Sequence, residues 1–114
     1  GVPIEPRGLI VRPEGDGGLT FWASCQAPHR LRDSFARALG LDRGAIRGVA
    51  PDVGGGFGVK TALTREDLVT AVAARRLGRP VKWVSTRIED FLTTQHARDQ
   101  LDEIEGAFGQ IFWF

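Results

Sequence analysis

The chain has 114 residues, a formal net charge of +1 and one cysteine, so it admits one domain or part of one, excludes two full domains, and excludes an internal disulfide. The near-balance of 15 basic against 14 acidic residues gives no field that would draw it onto nucleic acid or a membrane surface. No apolar run approaches the roughly 20 residues of a bilayer span, and the opening GVPIEPRGLIV lacks a signal peptide's basic start and apolar run, so a soluble cytoplasmic chain is expected.

Leu, Ile, Val and Phe together lie well above the roughly 20% below which chains stay disordered, enough for a modest core. Turn formers at residues 12–18 (RPEGDGG) separate Leu9-Ile10-Val11 from the β-prone run Leu19–Ser24, which predicts a hairpin. Pro28 suits the first turn of a helix. Leu31, Phe35, Ala38 and Leu39 then recur at i, i+4, i+7 and i+8, and Gly40 is placed to end it. Residues 46–50 read as a short strand, closed by Pro51 and Asp52.

Thr64 and Asp67 fit a capping box, and Val69, Val72, Ala73 and Leu77 form an apolar stripe, predicting a helix that Gly78 and Pro80 stop. Val81 to Val84 follows as a strand. A second capping box, Thr86 with Glu89, precedes Ile88, Phe91 and Leu92 and predicts a short third helix. Residues 101–105 and 110–114 read as strands. The alternation predicts an α+β (mixed α/β) fold, a small mixed sheet with about three helices, and one sheet face left bare. The chain has no methionine, even at position 1, and four aromatics (Phe108, Phe112, Trp113, Phe114) crowd its end. Both features suggest a truncated chain.

The most informative stretch is residues 52–60, DVGGGFGVK. Successive glycines let backbone N–H groups converge on an anion or oxo group and let a ligand approach the main chain; a bulge or tight crossover is the structural alternative. A Walker A loop requires glycine where Val59 precedes Lys60. The dinucleotide fingerprint fails in either register, because its third glycine falls on Val59 or Thr61. Cys25 reads as a small buried hydrophobe rather than a nucleophile. His29 and His96 lack the spacing or cysteine partners of a zinc site, and no metal ligands are assigned. The arginine clusters at 30, 32, 37 and at 75, 76, 79 read as solvated faces or subunit contacts, with RNA binding as the alternative.

Four strings in order, Gln26-Ala27-Pro28-His29, PDVGGGFGVK at 51–60, RRLGRPVKW at 75–83 and HARDQ at 96–100, resemble the large subunit of the molybdenum hydroxylases, the family of xanthine dehydrogenase, aldehyde oxidase and aerobic carbon monoxide dehydrogenase. The resemblance runs from about Pro3 to Glu105 and makes residues 1–114 a partial molybdopterin-binding domain. It implies a molybdenum–pyranopterin cofactor, with the cytosine dinucleotide form among the candidates. It also implies hydroxylation of an aldehyde, an N-heterocycle or carbon monoxide, and partners in the remainder of the large subunit and in iron–sulfur and FAD subunits or domains. Gly55, Gly56, Phe57 and Gly58 become cofactor contacts. Gln26 becomes the amide that hydrogen-bonds a molybdenum oxygen, and Phe57 a wall of the catalytic site. The residue-level alternative for Gln26 is an amide capping the Pro28 helix. Purine-oxidising members place a glutamate directly after the loop lysine, where this chain has Thr61, and the family's catalytic glutamate base lies beyond the matched segment. A stand-alone glycine-nest binding module and an inactive truncation product are the competing readings.

Overall fold

The computed structural model describes residues 1–95, 101 and 103–106. The expected hairpin pairs β1 (Gly8–Pro13) with β2 (Leu19–Ala23) antiparallel, Leu9 opposite Ala23 and Val11 opposite Phe21. Its turn is closed by the Glu14 N–H donating to the Gly18 carbonyl at 2.9 Å and by the Asp16 carboxylate accepting from the Gly18 N–H. α1 (Pro28–Leu39) and a short 3-10 turn (Arg43–Ala45) lead into β3 (Ile46–Val49), which pairs parallel with β2. α2 (Arg65–Leu77) returns the chain to β4 (Val81–Val84), antiparallel to β1, and α3 (Arg87–Thr93) follows. The strand order is β3-β2-β1-β4, a small mixed sheet with three helices.

Local chemistry sets the helix ends. Pro28 opens α1 at its first turn, and Gly40 and Gly78 close α1 and α2 in the left-handed conformation. Both capping boxes form: the Thr64 and Thr86 side chains accept from the Asp67 and Glu89 N–H groups, and each acid's carboxylate accepts from the threonine N–H.

Alternation in the strands puts Leu9, Val11, Leu19, Phe21, Ala23 and Ile46 into one core with Leu31, Phe35 and Ala36 of α1 and Ala71 and Ala74 of α2. The Phe21 and Phe35 rings lie 5.2 Å apart at a tilt of 51°. On the opposite face Ile10 stands in register between Trp22 and Lys82, the Arg12 guanidinium lies 5.2 Å from the Trp22 ring, and no helix of the described residues covers them. Ile10 and Trp22 are half-buried there, and Glu5 and Pro51 stand beside them.

Three expectations need correction. In α2 the buried residues are Thr70, Ala71 and Ala74, whereas Val69 and Leu77 of the expected stripe are 67% and 58% exposed. Small side chains let the helix axis approach the sheet, and the larger residues are turned outward. In α1, Ala36 is buried and Ala38 is exposed. Residues 101 and 103–105 are not in a strand: Leu101 and Ile104 are 92% and 89% exposed, and no strand of the described residues pairs with them. The expected strand at 110–114, the terminal aromatics and residues 96–100, including His96, lie outside the described residues.

The strand directions place the chemistry. β2, β3 and β4 run the same way and β1 runs opposite, so the segment before β1, Gln26 after β2, the glycine loop after β3 and Ser85 after β4 all gather at one end of the sheet. That end, beyond the carboxyl termini of parallel strands, is where open sheets of mixed architecture most readily form sites.

Candidate functional site

Gln26 and the glycine loop are bonded to each other. The Gln26 side-chain oxygen Oε1 accepts from the Gly58 N–H at 2.9 Å and the Lys60 N–H at 3.3 Å, and the Gln26 backbone N–H donates to the Lys60 carbonyl at 2.9 Å. The helix-capping reading of Gln26 is overturned: the N-cap of α1 is Ala27, with no side-chain cap bond. With Oε1 engaged, the amide nitrogen Nε2 is left as a donor on an exposed residue, without a partner among the described residues. The N–H groups of Gly55, Gly56 and Phe57 also have no hydrogen-bond partner among the described residues. The loop therefore leaves three uncharged backbone donors and one side-chain amide unpaired among the described residues.

Glycine is needed here for two reasons. A Cβ on Gly56, which is buried, would collide with Cγ and Cδ of Gln26, and Gly58 holds φ at +89°, where an L side chain is strained. Phe57 also has a positive φ of 50°, a strained value for a bulky residue, and its side chain is 72% exposed. Gly55, Gly56, Phe57, Gly58 and Gln26 are thus brought together, with Phe57 on the solvent side of the loop. Thr61 lies just after it and donates through Oγ1 to the Gly58 carbonyl at 3.0 Å. A groove of about 550 Å³ opens between α1 and residues 61–63, lined by Arg30, Asp33, Arg37 and Thr61 among others; none of residues 54–58 lines it.

The loop's other attachment was not visible in the sequence. Glu5 Oε2 accepts from the Ser24 hydroxyl at 2.6 Å, the Gly54 N–H at 2.8 Å and the Lys60 ammonium at 2.9 Å, and Lys60 Nζ also donates to Ser24 Oγ at 2.7 Å. The hydrogen bonds from Ser24 and Lys60 outweigh desolvation and hold the Glu5 carboxyl at about 2, below its ordinary 4.5, with help from the Gly54 N–H and the lysine's charge. Lys60 signals an anchor by following the glycines. Glu5 and Ser24 carry no such signal, since their contacts span 49 and 36 residues.

A second buried cluster fixes the segment that carries Glu5. Arg7 Nε donates to Asp90 Oδ1 at 3.0 Å, Ser85 Oγ donates to the same oxygen at 2.6 Å, and the Ser85 N–H donates to the Arg7 carbonyl at 3.0 Å. Burial pushes the Asp90 carboxyl up, but the bonds from Ser85 and Arg7 and the guanidinium's charge bring it below its ordinary value. Arg7 Nη1 is buried without a hydrogen-bond partner among the described residues; the Glu66 carboxylate stands 3.8 Å away. Cys25 is buried beside Gln26, and burial raises its thiol pKa, which suits an inert packing residue. His29 is exposed on α1.

The glycine loop and the Gln26 amide thus lie together at the carboxyl end of strands β2 and β3. The family model described as "Molybdopterin cofactor-binding domain" matches residues 1–110, and the chain belongs to that family. Its relatives include a protein named 6-hydroxypseudooxynicotine dehydrogenase complex subunit gamma from Paenarthrobacter nicotinovorans, 38% identical over 94% of this chain and 14% of that protein. The carbon monoxide dehydrogenase large chain of Hydrogenophaga pseudoflava is 43% identical over 85% of this chain and 12% of its own length. Among solved structures, quinoline 2-oxidoreductase from Pseudomonas putida 86 superposes with a TM-score of 0.80 at 38% identity, covering 84% of this chain and 12% of that one. The chain thus spans about one seventh or less of the length of these relatives.

The residues present fit a molybdenum–pyranopterin. Metal oxo groups and pterin heteroatoms accept hydrogen bonds, and the loop presents uncharged donors at Gly55, Gly56, Phe57 and Gln26 Nε2. Open space also lies in front of Gly58, where no atom comes within 4 Å of the missing Cβ.

Proposed function

We propose that residues 1–114 form the first part of the cofactor cradle of a molybdenum hydroxylase large subunit. The observation that carries this reading is the orientation of Gln26: two loop N–H groups occupy its oxygen, so its nitrogen is the end free to meet an oxo acceptor. Gln26 and the backbone of Gly55, Gly56, Phe57 and Gly58 would hold the cofactor, and Phe57 would stand at its solvent side. When bound, the molybdenum–pyranopterin, with the cytosine dinucleotide form among the candidates, supplies the redox and oxygen-transfer chemistry of a hydroxylation. The chain's own part is to orient that group with fixed neutral donors, whose dipoles need no rearrangement as charge shifts.

The substrate class we infer is a small aldehyde, N-heterocycle or carbon monoxide, since relatives bear names such as "Nicotine 6-hydroxylase large subunit" and "Carbon monoxide dehydrogenase large chain". Thr61 argues against a purine: its hydroxyl is tied to the Gly58 carbonyl, and no carboxylate stands at that position to hold a purine. The partners we infer are the remainder of a large subunit together with iron–sulfur and FAD subunits or domains, in the cytoplasm; no helix of the described residues is long and apolar enough to cross a membrane. Membership in a cofactor-binding family disfavours the stand-alone anion-binding module.

Gln26→Glu in the full-length protein separates the two ends of the amide. The variant keeps an oxygen to accept from Gly58 and Lys60 but loses the outward donor. Turnover is expected to fall about ten-fold or more, the equivalent of the 1–3 kcal/mol of a hydrogen bond to a charged acceptor, with the molybdenum content of the protein retained. Unchanged turnover would show that the amide serves only to tie the loop.

A further inference from the structure

Two anchors hold the glycine loop, and Lys60 belongs to both. Its backbone N–H and carbonyl are bonded to Gln26, and its ammonium is bonded to Glu5 and Ser24. Gly54 and Lys60 bound the loop, and a single oxygen, Glu5 Oε2, takes a hydrogen bond from each. That oxygen closes residues 54–60 into a ring. The Lys60 side chain is 1% exposed, while that of Glu5 is 38% exposed. The ammonium therefore depends on this carboxylate for its counter-charge, and an ammonium buried without one is costly. A Lys60 released from Glu5 would turn toward water and draw its backbone away from Gln26. Glu5 and Ser24 stand outside the hydrophobic core, so the clamp acts on the loop rather than on the packing of the sheet.

We propose that Glu5 is a positioning residue for the group the loop takes: by holding Lys60 and Gly54 together it fixes the Gln26 amide and the open N–H groups of Gly55 to Phe57 in their receptive arrangement, and so governs how firmly the ligand is retained. Ser24 completes the clamp by donating to Glu5 while accepting from Lys60. The identity of that ligand rests on the reading given above; the mechanical role of Glu5 does not.

The test is made in the full-length protein with Glu5→Gln, which keeps the size of the side chain and removes its charge. A milder second variant, Ser24→Ala, keeps the ion pair. Two quantities are read: amide hydrogen exchange at the bonded loop amides of Gly54, Gly58, Val59 and Lys60 relative to the core amides of Leu9, Phe21 and Phe35, and the rate at which bound molybdenum is lost on dialysis. Glu5→Gln is expected to speed loop exchange by at least about ten-fold, the size of losing a hydrogen bond to a charged group, with core exchange unchanged and molybdenum lost faster. Ser24→Ala is expected to move both readouts the same way by less. Loop exchange equal to wild type, a loop and core that speed up together, or a loosened loop that keeps its molybdenum as long as wild type would each overturn the proposal. Wild-type protein that carries no molybdenum would instead sink the cofactor reading, and loop exchange would then decide the role of Glu5 alone.

Discussion

The Cβ that Gly56 lacks would sit against Cγ and Cδ of Gln26, whereas the one Gly58 lacks would meet nothing within 4 Å. Alanine at the two positions should therefore fail differently. Gly56→Ala should displace the Gln26 side chain and expose the Gly58 and Lys60 N–H groups to exchange. Gly58→Ala should leave Gln26 in place and cost only the strain of a left-handed L residue, about 1–2 kcal/mol, which a urea melt would read. The Glu5 carboxyl makes a separate prediction. Its folded pKa of about 2 lies below the ordinary 4.5, so its stabilising contribution is complete above 4.5 and is lost as pH falls toward 2. The stability gap between wild type and Glu5→Gln should narrow over that window and stay constant at higher pH. Asp67 works in the opposite sense, because burial raises its pKa despite the bonds to Thr64, so its ionised form is disfavoured in the folded state and acid relieves it. Comparison against Glu5→Gln cancels that background, and a gap that does not change between pH 4.5 and 2 would contradict the clamp geometry.

At the scale of elements, α2 has apolar residues on two sides, and the structure uses the smaller ones. Ala71 and Ala74 are fully buried against the sheet, while Val69 is 67% exposed. Ala74→Leu should overpack the helix–sheet contact and cost about 1–3 kcal/mol, whereas Val69→Lys should stay within about 0.5 kcal/mol; chemical denaturation of both distinguishes this face from the stripe that periodicity suggests. The contrast shows what a sequence of this kind makes legible. Pro28, Gly40, Gly78 and the two Thr-x-x-acid pairs act on their own helix ends, so the helix boundaries follow from adjacent residues. The face of α2 does not, because it depends on how close the sheet approaches. Likewise Gln26 and the glycine loop stand out by composition and resemblance, but Glu5 meets Gly54 and Lys60 only after the strands have been ordered, and nothing near Glu5 marks that meeting.

At the scale of the whole molecule, the helices α1 and α2 pack on one face of the sheet among the described residues, and large apolar side chains are exposed elsewhere. Ile10 and Trp22 lie on the open face with Val84 at its edge, and α3 exposes Ile88, Phe91 and Leu92, at 71%, 54% and 76%. Val69 and Leu77 add a stripe on α2. Large exposed apolar side chains in this number mark surface suited to being covered, and β3 and β4, the edge strands among the described residues, carry open hydrogen-bonding groups as well. The same incompleteness holds for the chemistry. The proposed cradle draws on one loop and one amide, and the 550 Å³ groove beside it does not include residues 54–58. Taken alone, residues 1–114 are therefore expected to self-associate as concentration rises, and to oxidise neither aldehydes, N-heterocycles nor carbon monoxide with an added electron acceptor. Sedimentation velocity over a concentration series checks the first half, with Ile88→Lys/Leu92→Lys expected to shift the chain toward monomer. A chain that remains monomeric throughout, or one that turns over substrate unaided, would mean that the open face and the half-cradle are complete as they stand.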